Sequence, residues 1–289
     1  MNQGSAEVLS AINSIPPFPS VALKAIQALR GPDAGAGDVV DIIQYDPGIT
    51  ANILRTVNSA YYGVPQKIAS VKQAVSFLGS EKIINLLMLS GALSYLRGKS
   101  AQYPLENEDL LTHSVTTALL AETLGRQIGV KDPALIYTAG LLHDIGKIVL
   151  STYVRDRYHE IDTLITQKGH SFLQAEQAVL GITHAEVGEA LARHWQFPET
   201  ITQPIGLHHS VPQKKSKAQT HIASAIVYLA NRGSLFLRGR KSSDHWSFSD
   251  FEIARQRVGI SPEELDACLD KLRTQLPATL STIQNPENS

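Results

Sequence analysis

The sequence is poor in cysteine. Cys268 is the only one in 289 residues, so no intrachain disulfide can form and a reducing compartment fits best. Charge bias is also missing, since 26 Lys and Arg face 27 Asp and Glu for a net charge of -1. No global field therefore draws the chain to nucleic acid or to an anionic membrane. The opening residues lack the basic-then-apolar pattern of a signal peptide, and no apolar run approaches the roughly 20 residues of a membrane span. These absences predict a cytoplasmic protein without a membrane partner. No segment alternates with the two-residue period of a strand. Neither a Gly-x4-Gly-Lys-Ser/Thr loop nor a Gly-x-Ser-x-Gly elbow occurs, which argues against P-loop and α/β-hydrolase chemistry. Residues 1–112 contain no histidine, and all ten lie at or beyond His113.

What is present is helical periodicity. Hydrophobic residues make up 43% of the chain and charged residues 18%, enough for a sizeable core. In the first half, apolar positions recur every three to four residues over residues 20–29, 38–43, 47–60, 70–78 and 80–96. Asp46-Pro47 reads as an N-cap with proline at the first helical position, and Ser20 and Ser70 read as caps. Residues 14–19, Ser-Ile-Pro-Pro-Phe-Pro, are expected to be extended. A charged, turn-rich stretch at residues 100–106 separates this half from a second helical set. We therefore expect an all-α, two-lobed bundle with lobes at residues 1–102 and 103–289.

In the second lobe, residues 108–128 predict a long helix, and Asp132-Pro133 starts another that carries Leu141-Leu142-His143-Asp144-Ile145-Gly146-Lys147. Further helices are expected at residues 155–168, 171–180, 183–195, 199–209, 220–232, 251–258 and 262–283, with residues 233–250 read as a loop. His143-Asp144 sits in an otherwise apolar segment. An ionised carboxylate there needs a cation, donors or a metal. Two readings stand: hydrogen bonding to neighbouring helices, or ligation of a divalent ion by imidazole and carboxylate.

Other helices bring histidines of their own: His113 about 30 residues before the pair, His184 about 41 after it, and His208-His209 about 24 further on. These intervals match one or two helices each, so the side chains meet only in a bundle, whose core is where facing helices build such sites. A set of histidine nitrogens and a carboxylate suits Fe, Mn, Ni or Zn, as one or two ions, with Asp144 able to touch a second. Lys147 is either a phosphate-holding charge or a snorkelling lysine at a helix end. Cys268 reads as structural. Three basic residues each at 214–217 and 238–241 read as solvated loops rather than a nucleic-acid surface.

Many separate segments carry a family resemblance in order: Asp46-Pro47-Gly48-Ile49-Thr50, Val57-Asn58-Ser59-Ala60, residues 68–79, residues 139–147, Glu176 to Gly181, residues 184–188, Trp195-Gln196-Phe197-Pro198 and Ile205-Gly206-Leu207-His208-His209. Together, over about residues 15–230, they resemble the HDOD domain, whose second half is similar to the HD phosphohydrolase core. That resemblance implies an all-helical bacterial signalling module without established catalysis, here as a stand-alone member. Against the fuller two-metal HD pattern, this sequence matches at His113, His143-Asp144, His184 and His208-His209. It departs at Asn231, where the pattern has aspartate, and it lacks the Gly-Tyr-Pro signature of cyclic-di-GMP phosphodiesterases. Asn ligates through a carbonyl without charge, so affinity for the ion it would serve should drop.

Three functions follow in order. The first is a non-catalytic regulatory module whose inter-lobe groove takes a protein partner or a small signalling ligand. The second is a metal-dependent phosphohydrolase acting on a nucleotide or cyclic dinucleotide, with Asp144 and Lys147 in its chemistry. The third is a nucleic-acid-binding regulator.

Overall fold

The computed structural model describes residues 3–28, 36–44, 46–59, 62–97, 110–211, 219–237 and 248–284. Among these the fold is helical throughout, without a strand. The first set is α1 (Gln3–Ala11), a 3-10 turn (Ile12–Ser14), α2 (Ser20–Ala28), α3 (Ala36–Ile43), α4 (Pro47–Val57), α5 (Val71–Leu78) and α6 (Ser80–Leu96). The second is α7 (Leu110–Gln127), α8 (Pro133–Leu142), α9 (Gly146–Asp156), α10 (Tyr158–Thr166), α11 (Phe172–Leu180) and α12 (His184–His194). It continues with α13 (Glu199–Leu207), α14 (Gln219–Leu237), α15 (Phe248–Val258) and α16 (Pro262–Gln284).

The local signals act as expected in most places. Asp46 accepts from the Ile49 backbone N–H at 2.9 Å, and Ser70 accepts from that of Gln73 at 3.2 Å. Each satisfies one of the donors a helix start leaves unpaired. Ser20 instead is the first helical residue, and the Pro19 carbonyl takes the bonds from Ala22 and Leu23. The α6 helix is apolar nearly all round and buries Ile83, Ile84, Leu86, Leu87, Met88 and Leu89. It packs on α2, α4 and α5 on one side and on α7 and α8 on the other, so it joins the two sets. A second seam lies where Phe18 meets Tyr95, Trp195 and Phe197, with ring centroids 6.0, 5.3 and 5.2 Å apart. The Trp195 indole N–H donates to the Pro16 carbonyl at 3.1 Å.

Four expectations need correction. The His-Asp pair is not inside a helix: α8 ends at Leu142, and residues 143–145 turn into α9 at Gly146. Helix α9 runs on to Asp156, and a new helix, α10, begins at Tyr158, in place of one helix over residues 155–168. Residues 233–237 are helix rather than loop. Gly233 lies so close to α7 that a Cβ would sit 2.5 Å from Leu120 Cδ2, so packing overrides its weak helix propensity. Finally, residues 133–156 do reach the length and mean hydropathy (1.2) of a membrane span, but the apolar window is wholly buried among other helices. The 100–106 boundary and the basic loops at 214–217 and 238–241 lie outside the described residues.

Candidate metal centre

Helices α7, α8, α12 and α13 converge where their ends or faces carry histidine. His113 lies on α7, His143 and Asp144 on the turn after α8, His184 at the first position of α12, and His208-His209 directly after α13. All six are brought together. One carboxylate oxygen of Asp144, Oδ1, lies 3.4 Å from Nε2 of both His184 and His208. The other, Oδ2, lies 3.4 Å from His143 Nε2 and 3.6 Å from His113 Nε2. Asp144 thus belongs to two groups, one with His184, His208 and His209 and one with His113 and His143. Within each group, one ligand atom per residue lies within 4.8 Å of the others.

The convergence depends on backbone fitting backbone. A Cβ at Gly146 would meet the His184 carbonyl oxygen at 2.0 Å and the Gly188 nitrogen at 2.6 Å. Only glycine lets the start of α9 touch the start of α12. Thr183 and Glu186 form a capping box that fixes this end of α12, with Glu186 accepting from the Thr183 N–H at 2.8 Å.

Each buried ring is held from outside. His143 Nδ1 faces the Gly140 carbonyl at 2.8 Å, and His208 Nδ1 faces the Ile205 carbonyl at 2.6 Å. His184 Nδ1 faces Glu176 Oε2 at 2.7 Å. Carbonyl and carboxylate oxygens only accept, so Nδ1 is the protonated nitrogen in all three rings. His113 Nδ1 lies 3.1 Å from the Ser234 hydroxyl, which spends its own proton on the Asn231 carbonyl at 2.8 Å. That makes His113 Nδ1 a donor too.

In the neutral rings, four Nε2 lone pairs therefore point inward at a carboxylate that is itself only an acceptor. His208 Nε2 and Asp144 Oδ1 are buried without a hydrogen-bond partner. His113 and His143 present Nε2 to Nε2 at 3.1 Å. Converging lone pairs in a buried pocket are costly unless a proton or a metal ion joins them, and the Lys147 ammonium reaches only Oδ2. The donor set, with its outer partners fixing each tautomer, fits a divalent transition metal.

The electrostatics agree. Burial pushes the Asp144 carboxyl up, but His143 and Lys147 outweigh it and hold it well below the usual carboxylate range. Burial, with His209 adding to it, keeps His208 well below the usual imidazole value. His184 is raised, because Glu176 overcomes the opposing effect of burial. Lys147 is not a snorkelling lysine: it is 5% exposed, with Nζ 2.8 Å from Asp144 Oδ2. Its ammonium shares Oδ2 with His143 and His113, while Oδ1 faces only His184 and His208.

Two supporting residues carry no role in the sequence-based expectation. Glu176, fully buried, accepts from both the backbone N–H and the ring of His184. Ser234 stands behind His113 and also accepts from Thr117 at 3.1 Å. The place of Glu176 in the segment that carries the family resemblance, eight residues before His184, was the available signal for the first. Ser234 had none, because it falls in the stretch read as loop. Asn231 is buried on α14 one turn before Ser234.

An all-helical bundle with a buried histidine–aspartate nest at its helix ends defines an HD-like class of protein. The HDOD domain profile matches residues 15–211, and the chain belongs to that family. A crystal structure of an HDOD domain protein of unknown function from Geobacter sulfurreducens superposes with a TM-score of 0.77 at 24% identity, over 98% of this chain and 97% of that one. An uncharacterised protein of Treponema pallidum (strain Nichols) is 28% identical over 238 residues, 81% of this chain and 45% of that one. Ribonuclease Y 1 of Pediococcus pentosaceus is 29% identical over 178 residues, 61% of this chain and 27% of that one. The chain thus spans less than half the length of these two curated relatives.

Proposed function

We propose that the protein is a cytoplasmic HDOD regulatory module built on a buried divalent-metal centre, and that it signals to a protein or small-ligand partner rather than turning over a substrate. The ligands are His113, His143, Asp144, His184, His208 and His209. The supporting observation is the enclosure of the nest: the first four and His208 are each at most 4% exposed, and the buried Lys147 ammonium lies 2.8 Å from Asp144 Oδ2. A hydrolase must admit a phosphoester to its ions, and ligands this buried argue against such access. Asn231 in place of an acidic residue points the same way. A bound ion would supply positive charge to the converging lone pairs and couple four helices, so that its loss or redox change alters the bundle.

Protein purified without chelator is expected to carry about one or two transition-metal ions per chain, and Asp144→Ala to carry none. Absence of metal in both, after reconstitution, would overturn the proposal. A second reading, a metal-dependent phosphohydrolase acting on phosphodiesters, draws on the likeness to Ribonuclease Y 1. Turnover of a phosphodiester panel that disappears in Asp144→Ala would establish it; we expect no turnover above that variant.

A further inference from the structure

The two halves of the histidine nest are not equivalent. One group joins Asp144 to His184, His208 and His209, the other joins it to His113 and His143 alone. On the first side, Asp144 Oδ1 and His208 Nε2 are both buried without a hydrogen-bond partner. On the second side, Oδ2 already accepts from the Lys147 ammonium at 2.8 Å. The unmet demand for positive charge therefore lies on the Oδ1 side.

What stands behind each half also differs. The buried Glu176 carboxylate backs His184 at 2.7 Å, and such an outer partner makes a ligand imidazole more basic. Behind His113 stands the neutral Ser234 hydroxyl at 3.1 Å. Access differs as well, because His209 is half-buried while His113 and His143 are both buried. Spacing alone does not choose between the halves. Oδ1 lies 3.4 Å from Nε2 of His184 and of His208, about the edge of a tetrahedron whose centre is about 2.1 Å from each ligand. The Oδ2 separations of 3.4 and 3.6 Å fit almost as well. Charge decides. An ion about 2.1 Å from Oδ2 would lie within about 5 Å of the Lys147 nitrogen, which is itself 2.8 Å from that oxygen. Like charges that close in a buried pocket repel strongly.

We infer that the centre fills unequally: the first ion takes Asp144 Oδ1, His184, His208 and His209, and Lys147 is a built-in cation that holds a second ion off the His113–His143 half. The inference rests on the proposed metal centre and assigns its two subsites. Lys147 is here a positioning residue, setting how many ions the centre holds without binding one. The second half accepts metal only at a concentration at least about 100-fold higher than the first.

The test is titration of the full metal-free chain with Zn against a competing chelator, together with crystals grown at one equivalent of Zn. The anomalous-scattering map of those crystals is expected to show a single peak, among His184, His208 and His209. The titration should resolve two binding steps at least about 100-fold apart. Lys147→Met removes the ammonium from a side chain of similar length and should bring the two steps within about tenfold of each other. Lys147→Arg keeps the charge and should keep the gap wide, which a purely packing role for Lys147 would not predict. A first peak between His113 and His143, two equal steps in the wild-type chain, or a gap as wide in folded Lys147→Met as in wild type would each overturn the inference and leave the metal centre standing. Should Lys147→Met not fold, the wild-type map and titration decide. Absence of any bound ion is a different result, and it overturns the metal centre itself.

Discussion

Glu176→Gln separates the proposed metal centre from the fold that carries it. The Glu176 carboxylate is fully buried and accepts from the His184 backbone N–H at 2.9 Å and from its ring Nδ1 at 2.7 Å. Glutamine keeps an oxygen able to accept both bonds and loses only the charge. Charged bonds contribute about 1.5–3 kcal/mol and neutral ones about 0.5–1.5, so two such bonds lose about 2–3 kcal/mol together. Relief of the buried carboxylate's desolvation offsets part of this, which leaves a folding cost of about 1 kcal/mol. The ring, however, becomes a weaker donor outward and a less basic ligand inward. Loss of an outer partner of a ligand histidine costs about 10–100-fold in metal affinity, or roughly 1.4–2.7 kcal/mol. The metal effect should therefore exceed the folding effect. Chelator competition for Zn or Mn, run beside urea unfolding of the metal-free protein, measures the two separately. Glu186→Gln is the control: glutamine keeps an oxygen for the α12 capping box and leaves the His184 side chain as it is. If Glu176→Gln binds metal as tightly as Glu186→Gln does, the argument from ring polarisation is wrong.

Three further outcomes follow from the packing. Gly146→Ala drives a methyl into the His184 carbonyl and the Gly188 nitrogen, both backbone and unable to swing away. We expect about 3 kcal/mol or more of destabilisation in urea melts, with metal lost as well; a cost below about 1 kcal/mol would show that the α9–α12 contact is looser than described. Phe18→Ala opens the seam between Tyr95, Trp195 and Phe197 and should cost about 3–5 kcal/mol, visible also as a change in Trp195 fluorescence. Burial pushes the Cys268 thiol up, so at about pH 8 a thiol reagent should label the native protein at least about tenfold more slowly than the urea-unfolded chain. Equal rates would place the thiol at the surface.

Much of the centre was legible because its parts are chemically conspicuous. A His-Asp pair in an apolar segment, and histidines confined to the second half at intervals of one or two helices, name all six residues that the structure brings together. What escaped was whatever depends on neighbours far along the chain. The break at residues 143–145 is invisible to periodicity, since the apolar pattern runs straight through it. It exists because α9 must turn to lay Gly146 against α12. The continuation of α14 past Gly233 and the support of His113 by Ser234 were hidden for the same reason. Propensity there argued for a loop, while contact with Leu120 on α7 holds a helix.

Composition and spacing alone thus determine that this chain is helical, where most of its caps fall, and which histidines and aspartate are candidates for one site, because those follow from local hydrogen bonding and from residue type. Only the tertiary structure decides which imidazole nitrogen faces inward and that Lys147 is paired with Asp144. Each of those depends on the placement of acceptors and donors from other helices, and one-dimensional order carries no record of that placement.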